Sequence, residues 1–217
     1  MSGRTDKSSP LVYPLLHNGP VYYFALLARE KEITLEQHDN YVKQSYRNRC
    51  RILGPNGVVD LTVPIKRKRG TRTPVRDVRV DYDSFWNRIH WKSLIAAYAS
   101  SPYFEYLADD LRPFYEKKIR FLVDLNAVLT ECVFRLLDWK LTFSLSEEFV
   151  KIGGEEDPRQ LIHPKKDPGS ADPRFRPEPY HQVFSEKHGF RPNLSILDLM
   201  FNAGPESLSI LRLSLRT

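Results

Sequence analysis

Residues 40–52 read NYVKQSYRNRCRI and set Lys43, Arg47, Arg49 and Arg51 among Tyr41, Gln44, Ser45, Tyr46 and Asn48. Arginine and lysine at this density can grip phosphate, arginine through two parallel hydrogen bonds. If the stretch is extended, alternation puts Lys43, Ser45, Arg47 and Arg49 on one face. Gln44, Tyr46, Asn48 and Cys50 then share the other, with Tyr46, Cys50 and Ile52 toward the core. The competing assignment is a surface strand whose charges keep an edge soluble, and spacing alone leans toward it.

Just upstream, His38 sits in EQHDNY. A histidine titrates near neutrality and can serve as a general base. Asp39 would point to the opposite strand face, so Glu36, two residues back, is the better orienting partner. His90, in WNRIHWKS, lies one turn after Trp86 and near Ser93. It is the second candidate base, although a histidine on an apolar helix is more often a satisfied core residue. Tyr103 opens the aromatic run Tyr103, Phe104, Tyr106, which could stack on a sugar or base and more commonly serves the core.

Other chemistries lack their signatures. His17, His163, His181 and His188 make no HxxxH or HExxH pair, and Cys50 and Cys132 lie far apart without a CxxC partner. Neither a metal nor a cofactor is expected, and the two thiols suit a reducing, cytoplasmic setting. There is no GxSxG, GxxxxGK[ST] or GxGxxG, so phosphate recognition would fall to side chains.

The elements that must position these residues can be outlined from pattern. Leu11 to Leu16 reads as a buried strand, and HNGP breaks it, with Pro20 opening the helix VYYFALLARE. EITLEQHDNY begins as a strand, and CRILGPNGVVDLTVPI is a hairpin with Asn56-Gly57 as its turn signal. KRKRG is a loop, a solvated one by default, and VRDVRV alternates as a strand. Three helices follow: one capped by Ser84 and ended by Pro102, one broken at Pro113, and one with Leu122, Leu125, Leu129, Cys132 and Leu136 on a single face. KLTFSLSEEF returns as a strand. Residues 153–180, with six prolines, exclude regular structure and form a lid or a tether. In the tail, Asn193 caps a helix that Gly204 stops, and Pro205 starts another.

The expected class is therefore α/β, a mixed sheet of short strands in the N-terminal part packed with a central helical region. The expected organisation is a flexible lead (1–10), a core domain (11–152), a proline-rich loop (153–180) and a helical extension packed on the core (181–217). The composition, 217 residues with 41% hydrophobic and 28% charged, argues against disorder. No apolar run reaches bilayer length and no secretory signal is visible, so a cytoplasmic protein is expected. The net charge of +6 and pI near 9.3 imply anionic partners without choosing among them.

The segments YYFALLARE, EQHDNYVKQSYRNRCRI, NGVVDLTVPI, DVRVDYDSFWNRIHWKSLIAAYASSPYFEYLADDLRPFYEKK and LIHPKK, in this order, resemble the WbqC-like family of bacterial proteins. The closest likeness is to its long C-terminal variant, ending in HQVFSEKHGFRPNLSILDLMFNAGPES, and covers nearly the whole chain after Pro10. The resemblance implies cytosolic work on O-antigen or other surface-polysaccharide precursors, with acyl or aminoacyl transfer to an amino sugar. The chain keeps Arg47-Asn48-Arg49 but carries Gln37-His38 where many relatives have paired aspartates, and Tyr13 where their opening histidine would align.

The expected function is thus a transferase acting on a nucleotide-linked sugar with an activated acyl or aminoacyl donor. Lys43, Arg47 and Arg49 would hold phosphate, Asn48 would bond substrate, and His38 or His90 would take the amine proton. Tyr46, Ser93 and Tyr103 complete the expected substrate wall. An RNA-binding protein, with tRNA as aminoacyl donor, and a non-catalytic assembly component are the alternatives. A homo-oligomer is left open.

Overall fold

The computed structural model describes residues 11–66, 72–152 and 157–216. The lead at 1–10 and most of KRKRG lie outside these. In chain order the elements are β1 (Val12–Pro14), α1 (Val21–Leu27), β2 (Glu32–Glu36), β3 (Arg49–Gly54), β4 (Gly57–Thr62), β5 (Ile65–Lys66) and β6 (Arg79–Val80). Then come α2 (Trp86–Tyr98), α3 (Phe104–Glu116), α4 (Leu122–Leu136) and β7 (Thr142–Leu145). The single turns α5 (Pro158–Leu161), α6 (Pro168–Ala171) and α7 (Ser185–His188) precede α8 (Ile196–Ala203) and α9 (Ser207–Leu213).

The protein is mixed α/β, as the pattern predicts, with its strands spread over three small sheets. β1, β2 and β7 form a parallel sheet in the order β1-β2-β7. The antiparallel pair β3-β4 and the short pair β5-β6 stand apart. Helix α1 is apolar all round and buried at every residue, as such a helix must be. It packs with α8 and α9 in one core; the hairpin, α2, α3 and the inner face of α4 build a second.

The tail completes α1. Its first free N–H groups find partners in the tail: Val21 donates to the Leu194 carbonyl at 2.8 Å and Tyr22 to Asn193 Oδ1, 171 positions on, at 2.9 Å. Asp198, buried on α8, accepts from Tyr98, Tyr180 and Gln182 and ties the tail to α2.

Several expectations need correction. After an isolated bridge from Asn40 to Pro74 no strand follows until Arg49, and residues 43–48 are turns and bends: Gln44 takes a positive φ and Ser45 bonds back to the Val42 carbonyl. Alternation holds only from Arg49 on. VRDVRV is a 3-10 turn at Val75–Asp77 followed by the two-residue β6. The Val75 and Arg76 N–H groups donate to the Asp39 and Gln37 carbonyls and are lost to a ladder. Val75 and Val78 still reach the core, since residues three apart coincide in a 3-10 turn. Ser84 does not cap α2; Phe85 does, in the left-handed region and without a side-chain bond. Pro113 lies inside an unbroken α3, one turn from its end, where the carbonyl it frees belongs to exposed Asp109. The proline-rich segment contains α5 and α6, capped by Asp157 and Asp167. In the tail Ser195, not Asn193, caps α8; Asn193 serves α1.

Candidate functional site

The basic stretch does not present one row of cations. Arg47 is buried and paired with Asp39, and Arg49 and Arg51 both meet Asp60, at 3.5 and 2.9 Å. Lys43 is exposed. Burial lowers the Arg47 pKa while Asp39 opposes it, so this arginine is a structural cation committed to one carboxylate. Beside it, buried Glu36 accepts from Ser146 Oγ and the His38 and Val150 N–H groups, with Arg159 3.7 Å away. His38 therefore has Glu36 as a neighbour through its backbone. Its ring is fully engaged: Nε2 lies 3.0 Å from the Ser146 carbonyl and Nδ1 3.0 Å from Arg76 Nη1.

A cationic cleft of about 360 Å³ forms where β3 meets the segment after α5 and the tail. Arg51, Lys165, Lys166 and Arg191 line it with Tyr46, against one carboxylate, Asp167. Asp167 is already taken up by the Ser170 N–H and hydroxyl, at 2.9 and 2.7 Å. Arg51 is steadied by Asp60 and the Pro164 carbonyl. Burial lowers the pKa of nearby His163, and Lys165, Lys166, Arg47 and Arg49 lower it further. That is the mark of a strongly positive region. The lysines come from the LIHPKK segment and Arg191 from the tail, parts of the chain that spacing within residues 40–52 could not connect.

Behind Tyr46 lies a buried polar nest. The His17 N–H donates to the Tyr46 carbonyl at 2.9 Å. The ring of His17 is fully buried, with Nδ1 3.2 Å from Asn126 Oδ1. Asn126 in turn donates to the Arg47 carbonyl at 2.8 Å. His90, on α2, puts Nε2 3.2 Å from the Thr62 carbonyl, and its ring centroid is 6.1 Å from that of His17. Trp86 meets both rings edge-on. Asn48 donates to the Val63 carbonyl and Asn18 to Tyr115 Oη. After these bonds five buried atoms remain without a hydrogen-bond partner: His17 Nε2, Asn18 Oδ1, Asn48 Oδ1, Trp86 Nε1 and His90 Nδ1. Burial lowers the pKa of His90 to about 4 and, aided by His90, that of His17 to about 3.

Of the sequence candidates, the structure brings Asn48 and His90 together in the nest and sets Tyr46 between nest and cleft. Arg49 stands near the cleft with its Nε unpartnered. Ser93 bonds back to the Ile89 carbonyl on α2, and Tyr103 packs against Gly204, away from both. His17 was visible only as the residue before a turn; its partners lie too far along the chain for any local pattern to announce it. Among the described residues no group of three or more His, Cys, Asp or Glu could hold a metal ion. Nor is any helix long and apolar enough to cross a membrane.

The positive cleft, the nest and the two-core α/β frame belong to a chain whose residues 20–166 match the WbqC-like protein family. The chain belongs to that family. It is also 27% identical over 212 residues to the uncharacterized protein Rv1507c of Mycobacterium tuberculosis, covering 88% of this chain and 91% of that protein. No solved structure matches.

Proposed function

We propose that this chain is an enzyme of bacterial surface-polysaccharide precursor synthesis, moving an acyl or aminoacyl group onto the amine of a nucleotide-linked amino sugar. Family membership supports the association with polysaccharide and nothing finer. The observation that carries the finer reading is the cleft, with four cations and one occupied carboxylate in a volume that suits a diphosphate. His90 is the better base of the two sequence candidates, because its Nδ1 keeps an unshared lone pair while both nitrogens of His38 are engaged. Arg47 supports the site from behind through its pair with Asp39, and Lys165, Lys166 and Arg191 take the phosphate role assigned to it from sequence.

The test is nucleotide-sugar binding by the Lys165→Ala, Lys166→Ala and Arg191→Ala variants. Each should bind about tenfold more weakly, the equivalent of one lost charge-assisted contact. Their unfolding midpoints should stay at the wild-type value, since none of these three side chains forms an ion pair among the described residues. Unchanged affinity in all three variants would remove the cleft from the reading.

A further inference from the structure

A second cavity, of about 660 Å³, is lined by the start of β1, the end of α1, α5, the residues after α6 and Leu215 near the end of the chain. Its size falls in the range of small-molecule sites. It shares no lining residue with the cationic cleft. Leu11, Leu26, Leu161 and Leu215 supply apolar wall, and four charged residues, Arg29, Glu30, Asp172 and Arg174, stand among them.

Two of the four charges cancel within the protein. Arg174 grips both oxygens of Asp172, at 2.8 and 2.9 Å, and Tyr22 donates to the same carboxylate at 3.1 Å. The other two charges are left over. Arg29 and Glu30 are consecutive, yet neither forms an ion pair, with the other or elsewhere, among the described residues. Arg29 donates Nη2 to the Leu215 carbonyl at the cavity wall, which holds the guanidinium there with N–H groups to spare. The carboxylate of half-buried Glu30 accepts one long bond, from the Tyr13 hydroxyl at 3.5 Å. Burial raises the Glu30 pKa, and Tyr13 and Arg29 offset this only in part, so its negative charge is under-compensated.

One unmatched charge of each sign in an apolar cavity selects the ligand. A phosphate or a lone carboxylate would set its charge against Glu30. A lone ammonium would leave Arg29 unmatched. An uncharged apolar ligand would take water from both charges and return nothing. A zwitterion matches both, and the leucine walls suit an apolar body. Arg29 and Glu30 rise from Cα atoms about 3.8 Å apart, which favours a ligand whose two charges also lie close together.

We propose that this cavity binds a free α-amino acid with a large apolar side chain. Glu30 takes its ammonium, Arg29 its carboxylate, and Leu26, Leu161 and Leu215 its side chain. The site goes beyond the transferase reading and does not depend on it. Its ligand would bridge α1, α5 and the end of the chain, so binding should also raise the unfolding midpoint.

The experiment is calorimetric titration of the full chain at pH 7 with L-phenylalanine, L-tryptophan and L-leucine. Three controls each lack one feature: 2-phenylethylamine the carboxylate, 3-phenylpropionate the ammonium, and glycine the side chain. At least one of the three amino acids should bind with a Kd of about 1 mM or tighter, and every control at least tenfold more weakly. Glu30→Gln and Arg29→Gln should each weaken amino-acid binding about tenfold, the equivalent of one lost charge-assisted contact. No binding of any of the three, a control that binds as well as they do, or unchanged affinity in both variants overturns the proposal. The wild-type ligand series decides even if a variant does not fold. The Lys165, Lys166 and Arg191 variants should bind the amino acid as the wild type does, so the cleft and this cavity fail separately.

Discussion

His17 and His90 are kept neutral by burial, and that has a measurable cost. In the unfolded chain both titrate near 6.5, whereas in the fold they titrate near 3 and near 4. As pH falls below about 6.5 the unfolded state takes up protons that the native state refuses. Their contribution is thus fully present above that pH and is lost toward the folded values. Each histidine should remove about 1.4 kcal/mol of stability per pH unit across this window. Urea midpoints at pH 7, 6 and 5 check this: the His90→Gln slope should be shallower than that of the wild type. The same burial should keep the base deprotonated through mild acid, so turnover should show no limb near 6.5.

The charged residues divide by how they are held. Asp39→Ala leaves Arg47 buried beside no carboxylate and should destabilise by about 3 kcal/mol, the low end for a broken buried pair because Asp39 is partly exposed. A chemical-denaturation curve gives the number. Lys165 and Lys166 should differ, losing ligand without losing stability. The sequence showed that residues 40–52 were unusual but not which cations were free. Arg47 and Asp39 are eight positions apart, and a turn rather than a strand brings them together.

Among the elements, local chemistry was legible where it acts locally. Gly54 and Gly57 close β3 on β4 around Pro55 and Asn56, as the GPNG stretch implies, and the apolar face of α4 lies in the core. Other elements escape local pattern because distant backbone decides them. VRDVRV lost its ladder donors to residues 37–39, and Asn193 looked like a cap for the helix after it while it caps one near the start of the chain. Asn193 also holds a positive φ. Asn193→Ala should therefore cost about 1–2 kcal/mol, from the lost cap together with the backbone strain, and Asn193→Gly less, since glycine accepts that φ. Comparing the two unfolding midpoints separates the contributions. Gly204 is a stricter position: its φ is positive and an added Cβ would meet the Tyr103 ring at 2.5 Å. Gly204→Ala should destabilise by about 2 kcal/mol or more. Combining it with Tyr103→Ala should recover the steric part only, which a double-mutant cycle would read.

Across the molecule, the mixed α/β class and the WbqC-like membership were both accessible from sequence, because they depend on the order of short motifs along the chain. The site was only half accessible, because it is assembled from β3, the residues after α5, the loop before α1, α2 and the tail. The charge of +6 also suits RNA, and salt separates the two readings. Binding that falls steeply with salt for RNA, while nucleotide sugars give no response, would favour the nucleic-acid alternative.

The dependence of α1 on Asn193 and Leu194 bears on how the protein is made. A ribosome finishes α1 early, yet the partners for its first turn are translated some 170 residues later. Until then an entirely apolar helix has no α8 or α9 to pack against, and the parallel sheet beside it also waits for β7. Nascent chains of this protein should therefore lean on holding chaperones until the tail emerges, and chains stopped near residue 180 should be found in the insoluble fraction rather than as a shorter folded form.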